Sequence, residues 1–225
     1  MGWGREVAAA VVGAVLPGRC PGCGRAAEPV CATCAAGLRR PPPLAAPPLI
    51  DEWVAAFAYE GVARELVARL KYRNQRAALP WLAAAMAAAA VERYPVDQAG
   101  RANQPGRERP VVVTWAPASS SRRDRSGFDH GELLARAVAR RLGLPVARLL
   151  ERPPGPSQTG RTRVDRAPGP ALRPVGAAAR GRSVLVVDDV VTTGATLSAA
   201  AAALRRAGAV RVVALTAAAT PLRPL

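Results

Sequence analysis

The sequence predicts an α/β fold in which helices cover both faces of a parallel sheet, with a small four-cysteine module in front of it. Short apolar runs alternate with helix-like segments from residue 50 onward, which is the order of a parallel sheet with crossover helices. Ala and Val dominate a chain that is 50% hydrophobic and only 4% aromatic, as suits helices packed on such a sheet. All four cysteines lie within Cys20–Cys34.

A proline-rich stretch divides the chain. Pro41–Pro48 reads PPPLAAPP, which is typical of a stiff linker. We therefore predict a helix and metal-binding module over residues 1–40, a linker over 41–49 and the main α/β domain over 50–225. The 225 residues are enough for one sizeable domain and a small appendage.

The N-terminal apolar run Val7–Leu16 is shorter than the roughly 20 residues that a membrane-spanning helix needs. Arg5 precedes it, so a signal peptide is an alternative. However, Glu6 interrupts the positive flank and no cleavage site of small residues follows. We predict a packing helix in a cytoplasmic protein without a membrane span.

The main domain is predicted to alternate strands and helices. Apolar runs indicate strands at Trp53–Tyr59, Val111–Trp115, Pro145–Leu150, Ser183–Val187 and Arg211–Thr216. One-sided apolar patterns indicate helices at Gly61–Leu70, Ala77–Arg93, Gly131–Leu142 and Ala195–Ala207. Gly143 and Gly208 are placed to end two of them. The polar segments Asp97–Pro110 and Arg152–Arg182 should be loops, and a loop as long as the second is usually functional or mobile.

The strand Ser183–Val187 delivers Asp188 and Asp189 to its C-terminal end, where ligands bind in open α/β sheets. The next residues run into a helix, whose N-terminus offers unpaired N–H groups and a positive dipole end. Glycine permits close backbone approach, and threonines add hydroxyl donors. The predicted phosphate loop comprises Val190, Val191, Thr192, Thr193, Gly194, Ala195 and Thr196.

The two acids must have a different partner, because they repel a phosphate. The 2′ and 3′ hydroxyls of a ribose fit. The alternative is that Asp188 and Asp189 cap the start of the helix and the threonines fill a turn.

The segment Val184–Thr196 (VLVVDDVVTTGAT) resembles the phosphoribosyl diphosphate (PRPP) signature of the type I phosphoribosyltransferases. The resemblance implies that the acids hold the ribose hydroxyls, that the Thr/Gly loop holds the 5′-phosphate, and that Mg²⁺ accompanies the diphosphate. No GxxxxGK[ST] motif is present in the sequence, which disfavours a P-loop nucleotidase.

Nearly the whole chain resembles the competence protein F (ComF) family, whose members place a four-cysteine module before a phosphoribosyltransferase domain. Lys71 lies in a Leu-Lys-aromatic segment like that of the family. Pro117–His130 is similar to a family loop that ends in Arg-Gly-Phe-Asn-Gln and ends here in Ser-Gly-Phe-Asp-His. Gln158–Arg166 is similar to the family's mobile loop.

A departing diphosphate needs cations and N–H donors. The loop after Val111–Trp115 and one lysine are the predicted pyrophosphate-binding residues: Ala118, Ser119, Ser120, Ser121, Arg122 and Lys71. Arg123 joins Asp188 and Asp189 as a catalytic candidate. A solvated surface is the alternative for these basic residues.

Two further predictions concern the arginines of the long loop and the histidine. Arg161, Arg163 and Arg166 either belong to a loop that closes over the diphosphate or lie in a disordered linker. His130 is the only histidine and is interpreted as an ordinary helix-start residue, with contact to an acceptor as the alternative.

Cys20, Cys23, Cys31 and Cys34 form two C-x-x-C pairs. Four thiolates at this spacing fit a structural, tetrahedral Zn²⁺. Two disulfides or a redox pair are the alternatives, and a cytoplasmic setting disfavours disulfides.

The formal charge of +16 comes almost wholly from arginine, so it favours polyanionic ligands or reflects the base composition of the genome. Two functions follow. The first is a PRPP-dependent phosphoribosyltransferase. The second, implied by the ComF resemblance, is handling of single-stranded DNA with DNA-uptake proteins, with PRPP as a ligand or regulator.

Overall fold

A computed structural model describes residues 18–27, 29–43, 45–72, 78–94, 110–119, 127–153 and 169–220. The predicted N-terminal helix and most of the predicted loop before residue 110 lie outside these ranges. Among the described helices, none has the length and apolar character needed to cross a bilayer.

The described part of the domain contains a four-stranded parallel sheet. Its strands are β1 (Glu52–Ala58), β2 (Val112–Trp115), β5 (Ser183–Val191) and β6 (Arg211–Ala219). They lie in the order β1-β6-β5-β2, and all three pairings are parallel. A two-stranded antiparallel ribbon, β3 (Leu150–Glu151) with β4 (Arg173–Pro174), stands apart from it. The predicted parallel α/β fold is confirmed.

Five helices are described: α1 (Ala32–Ala36), α2 (Gly61–Tyr72), α3 (Leu79–Arg93), α4 (His130–Leu142) and α5 (Ala195–Arg206). Each of the last four lies within a few residues of its predicted position. Gly143 ends α4 in the left-handed conformation, with φ of 63°, as the sequence predicts.

The core has one layer on each face of the sheet, as the apolar run of β5 requires. Leu185 and Val187 face one cluster, which also contains buried residues of α2, α3 and α4. Val184 and Val186 face the other, which contains α5 and the β3–β4 ribbon. Because side chains alternate along a strand, a central strand with helices on both faces must be apolar at every position.

Three predicted strands differ from the observed ones by more than one residue, among them β6, which was predicted to end at Thr216 and continues to Ala219. Residues 145–150 were expected to form one strand, but Val146 makes only an isolated parallel bridge to Val113. The backbone N–H of Leu149 then donates to the Thr114 hydroxyl, and the chain turns into the separate ribbon. β5 is longer than predicted, since it stays paired with β6 as far as Val191. Asp188 and Asp189 therefore lie within the paired strand, not after it.

Candidate functional site

A pocket of about 330 Å³ opens at the C-terminal edge of the parallel sheet. Its walls come from separate elements: the end of β5 and the start of α5, the loop after β2, the start of α4, the end of α2, and the residues just after β1 and β3. The lining residues are Tyr59, Lys71, Ala116, Pro117, Ala118, Phe128, Asp129, His130, Gly131, Arg152, Asp188, Asp189, Val190, Thr192 and Thr196. This is the edge where ligands bind in open α/β folds.

The two acids of β5 are held rigidly at the pocket floor. Asp188 Oδ1 accepts a hydrogen bond of 2.8 Å from the N–H of Asp189, and Asp189 Oδ1 accepts one of 2.6 Å from the N–H of Val190. Burial and the charge of Asp189 raise the pKa of Asp188 to about 7, although Lys71 opposes the shift. Near neutral pH the pair therefore tends to hold a proton, so it can both accept and donate hydrogen bonds.

The loop that follows β5 leads directly into α5. The N-cap residue of α5 is Gly194, and it makes no side-chain capping bond. Asp188 and Asp189 accept from N–H groups within β5 and not from α5, whereas the N–H of Ala195 at the start of α5 donates to Thr193 Oγ1 at 3.4 Å. The first N–H groups of α5 keep the positive end of the helix dipole, and Thr192 and Thr196 line the adjoining pocket wall. Such an arrangement suits an anion.

Gly194 is required at its position for two separate reasons. Its φ is 76°, a conformation that side chains disfavour. A Cβ at this residue would also lie 2.9 Å from Cβ and Cγ of Pro47, in the proline-rich segment. Only glycine satisfies both conditions without a shift of the loop.

A Gly194→Ala replacement is expected to move this loop and weaken anion binding about tenfold or more, at a stability loss of about 1 kcal/mol or more. The measurements are calorimetric titration with PRPP and the midpoint of thermal unfolding. Gly181→Ala is the matched control, because Gly181 also has a positive φ but has no heavy atom within 4 Å of a built Cβ. Equal PRPP affinity in both variants would contradict the role given to Gly194.

Lys71, the chain's sole lysine, reaches the pocket from the C-terminal end of α2. Its Nζ lies 2.7 Å from Asp189 Oδ1, and the two side chains are 24% and 13% exposed. The predicted pyrophosphate-binding lysine and a predicted ribose-binding acid therefore form a mostly buried ion pair. The ammonium group of Lys71 is therefore already in place at the pocket wall, where it can attract an anion.

The loop after β2 is fixed by Asp129. Asp129 Oδ2 accepts a 2.9 Å hydrogen bond from the N–H of Ala118, while Oδ1 accepts from the N–H groups of Gly131 and Glu132 at the start of α4. The backbone N–H of Ala118 was predicted to serve a phosphate, but in this structure it already serves Asp129. The loop is thus held by a carboxylate that ties it to α4.

The other predicted residues fall into three groups. Lys71, Ala118, Asp188, Asp189, Val190, Thr192 and Thr196 line the pocket. Ser119, Val191, Thr193, Gly194 and Ala195 are described but are not among its lining residues; the side chain of Val191 is buried in the core on the α5 side. Ser120, Ser121, Arg122, Arg123, Arg161, Arg163 and Arg166 lie outside the described residues.

His130 begins α4, as interpreted from the sequence, and it also lines the pocket, which is compatible with the alternative of an acceptor contact. Tyr59 and Arg152, which follow β1 and β3, line the pocket but were not singled out from the sequence. A Cβ at Gly169 would lie 2.4 Å from the carbonyl oxygen of Ala195, so the chain re-enters the described structure against the first turn of α5. Both flanks of residues 154–168 therefore meet the pocket or its phosphate loop.

The four cysteines form a second candidate site. Their sulfur atoms all lie within 4.8 Å of one another, and the Sγ atoms of Cys23 and Cys31 are 3.7 Å apart. Zn–S bonds of about 2.3 Å in a tetrahedron place sulfurs about 3.8 Å apart, so the cluster fits that ion. The N–H groups of Gly22 and Cys31 donate to Cys20 Sγ, which is the stabilisation that a thiolate needs.

The thiols of this cluster differ in acidity. Burial acts to raise the pKa of Cys20, but backbone N–H groups outweigh it and lower that pKa to about 6. Burial and the neighbouring sulfurs raise the pKa of Cys34 to about 12. Four thiolates at this separation repel one another, and a bound cation removes that repulsion.

The cysteine module packs on the domain through α2. A Cβ at Gly22 would lie 2.7 Å from Cys34 Sγ and 3.2 Å from Val62 Cγ1. Cys20, Val30 and Cys34 belong to the same buried cluster as Leu66 of α2. The module thus contacts the helix that carries Lys71.

Residues 129–224 match the family model described as phosphoribosyl transferase domain. An 82-residue stretch is 40% identical to adenine phosphoribosyltransferase of Mycobacterium marinum, covering 35% of this chain and 45% of the relative. The match thus spans less than half the length of that curated relative.

Solved structures with similar chains were also found. The allosteric regulatory enzyme of purine biosynthesis and the glutamine PRPP amidotransferase from B. subtilis, complexed with ADP and GMP, each align with a TM-score of 0.39 and 21% identity. These alignments cover 62% and 61% of this chain and 25% of each of those chains. Phosphoribosylpyrophosphate synthetase from Mycobacterium smegmatis aligns with a TM-score of 0.31 and 21% identity, over 61% of this chain and 31% of that one.

Proposed function

We propose that this chain is a PRPP-binding phosphoribosyltransferase of the ComF kind, which is supported by the match of residues 129–224 to the phosphoribosyl transferase domain model. It would transfer the phosphoribosyl group from PRPP to an acceptor and release pyrophosphate. One observation supports this most strongly. A single pocket combines two hydrogen-bonded acids, threonines at the N-terminus of a helix, and a lysine. These are complementary to a ribose, a phosphate monoester and a diphosphate, respectively.

The ribose and its 5′-phosphate would lie along β5 and its loop. Asp188 and Asp189 already receive hydrogen bonds on Oδ1, so the carboxylates are oriented before any sugar hydroxyl arrives. The 5′-phosphate would accept from the Thr192 and Thr196 hydroxyls and from the first N–H groups of α5. Such preorganisation lowers the entropy loss on binding.

The diphosphate would lie on the opposite wall, near Lys71 and the loop after β2. As the C1–oxygen bond breaks, the electron pair goes to the diphosphate, and fixed positive charge nearby stabilises the transition state. Lys71 supplies that charge, and Asp129 keeps the loop in place through Ala118. Mg²⁺ bound with the diphosphate would neutralise part of its charge.

The ComF assignment within this proposal draws on the module in front of the domain. We propose that Cys20, Cys23, Cys31 and Cys34 hold one structural Zn²⁺, which the close approach of their sulfurs supports. With all four ligands supplied by the chain, the ion has no open position for a substrate. Its role would be to stabilise the module against α2.

The transfer reaction is tested with isotope-labelled PRPP, Mg²⁺ and a panel of nucleobases and amines. We expect pyrophosphate release that depends on one of the acceptors, together with a labelled phosphoribosyl product. Calorimetry with PRPP alone runs in parallel, so that binding and transfer are read separately. Undetectable PRPP binding would contradict the whole proposal, whereas binding without release by any acceptor would contradict only the transfer step.

A further inference from the structure

His130 has a property that the proposed roles leave unexplained. Its ring lines the pocket, and its Nε2 atom is buried with no hydrogen-bond partner among the described residues. A buried polar atom without a partner destabilises the folded state, and such atoms in native proteins often have a functional role. Since this is the chain's only histidine, the property can be studied without interference from others.

The imidazole ring is held in a defined orientation. Phe128 meets it edge-on, with ring centroids 4.9 Å apart and planes at 70°. The backbone of Leu70, on α2, acts to raise the pKa of the ring. Nε2 is the ring nitrogen that lacks a partner, so it is the one that a new partner would satisfy.

Charged groups from three elements surround the ring. Burial lowers the pKa of His130, and Lys71 on α2 acts in the same direction, while Asp189 on β5 and Asp129 before α4 oppose the shift. The lowering dominates, so the ring is neutral near pH 7 although two carboxylates lie near it. One more negative charge near the ring would therefore raise the pKa of His130.

We propose that His130 takes up a proton when an anion binds: it is neutral when the pocket holds no anion and is protonated from solvent when a diphosphate lies against the wall shared with Lys71. This inference rests on the diphosphate subsite of the proposed function. An anion near the ring favours the imidazolium, and withdrawal of Lys71 toward the diphosphate would strengthen the effect of Asp189. When the C1–oxygen bond breaks, the imidazolium would stabilise the charge that grows on the leaving group.

The experiment is an NMR titration of the His130 imidazole in the full chain, without ligand and with saturating inorganic pyrophosphate. The spectrum of His130→Gln, which lacks any histidine, identifies the resonance. We expect the midpoint in the free protein to lie below the ordinary value of about 6.5 and to rise by about one pH unit with pyrophosphate.

Calorimetry supplies the matching affinity measurement. If pyrophosphate raises the midpoint of His130 by one pH unit, pyrophosphate must bind about tenfold more tightly at a pH below the free and bound midpoints than at a pH above both. This tenfold gain in pyrophosphate affinity at low pH should be absent from His130→Gln. Protonation of pyrophosphate itself also changes its affinity with pH, but that contribution is common to both proteins and cancels when they are compared.

The outcomes separate the inference from the function. If pyrophosphate binds and the midpoint stays unchanged, the inference is wrong and the subsite stands. If the midpoint rises but no acceptor yields a product, the inference stands without the transfer reaction. If calorimetry detects no pyrophosphate binding, both the inference and the diphosphate subsite are overturned.

Discussion

The double replacement Asp188→Asn, Asp189→Asn is expected to lower PRPP affinity by about a hundredfold or more, because hydrogen bonds to charged groups contribute about 1.5–3 kcal/mol each. The fold should survive. An asparagine oxygen can still accept the N–H bonds that hold both side chains, and burial already disfavours the ionised form of Asp188. The lost ion pair with Lys71 is mostly buried, with side chains 24% and 13% exposed, so we also expect a lower unfolding temperature.

Calorimetric titration with PRPP and Mg²⁺ measures this effect, and circular dichroism checks the fold. The control is Glu65→Gln, Glu92→Gln, which removes the same charge from exposed positions on α2 and α3 that do not line the pocket. Unchanged PRPP affinity in the double aspartate variant would show that the site is misplaced.

Replacement of Cys20 by serine is expected to have the largest effect on the N-terminal module. Cys20 is 1% exposed and belongs to the core cluster that joins the module to α2. Structural zinc contributes about 10–16 kcal/mol of apparent binding free energy in zinc-finger peptides, and a hydroxyl is a poor substitute for a thiolate. We expect zinc content to fall from about one ion per chain to near zero, together with a lower unfolding temperature.

Elemental analysis of protein purified under reducing conditions measures the metal, and a thermal scan measures stability. Thr33→Ser is the matched control, since Thr33 lies between Cys31 and Cys34 but is exposed. Zinc-free wild-type protein would overturn the assignment of the cluster. Zinc retained by Cys20→Ser at wild-type stability would remove Cys20 from the ligand set.

The strand, turn and helix that carry the proposed phosphate loop could be predicted from sequence because strand, acids, glycine and helix start are consecutive between residues 183 and 206. Local rules suffice for such a segment: an apolar run gives a buried strand, and Gly194 gives the turn. The end of β5 was misplaced for a non-local reason. β5 stays paired to Val191 because β6 runs alongside it as far as Ala219. The residues of β5 by themselves do not indicate how far the neighbouring strand extends.

The opposite wall of the pocket could not be predicted in the same way. His130, Arg152 and Tyr59 come from three separate parts of the chain, and only the parallel sheet order brings them to one edge. Asp129 is the N-cap residue of α4, as an aspartate directly before a helical pattern indicates. Its second bond, to Ala118, depends on how the loop after β2 lies against α4.

The contact between Pro47 and Gly194 couples two segments that are 147 positions apart in the sequence. Pro47 packs against the loop that contains Gly194, although it lies in the stretch that was predicted to be a linker. Changes in the length or bulk of that linker should therefore be compensated at residue 194, and substitutions at the two positions should covary. In swaps of the cysteine module between relatives, the junction is best placed ahead of Pro47, so that the proline stays with the domain it supports.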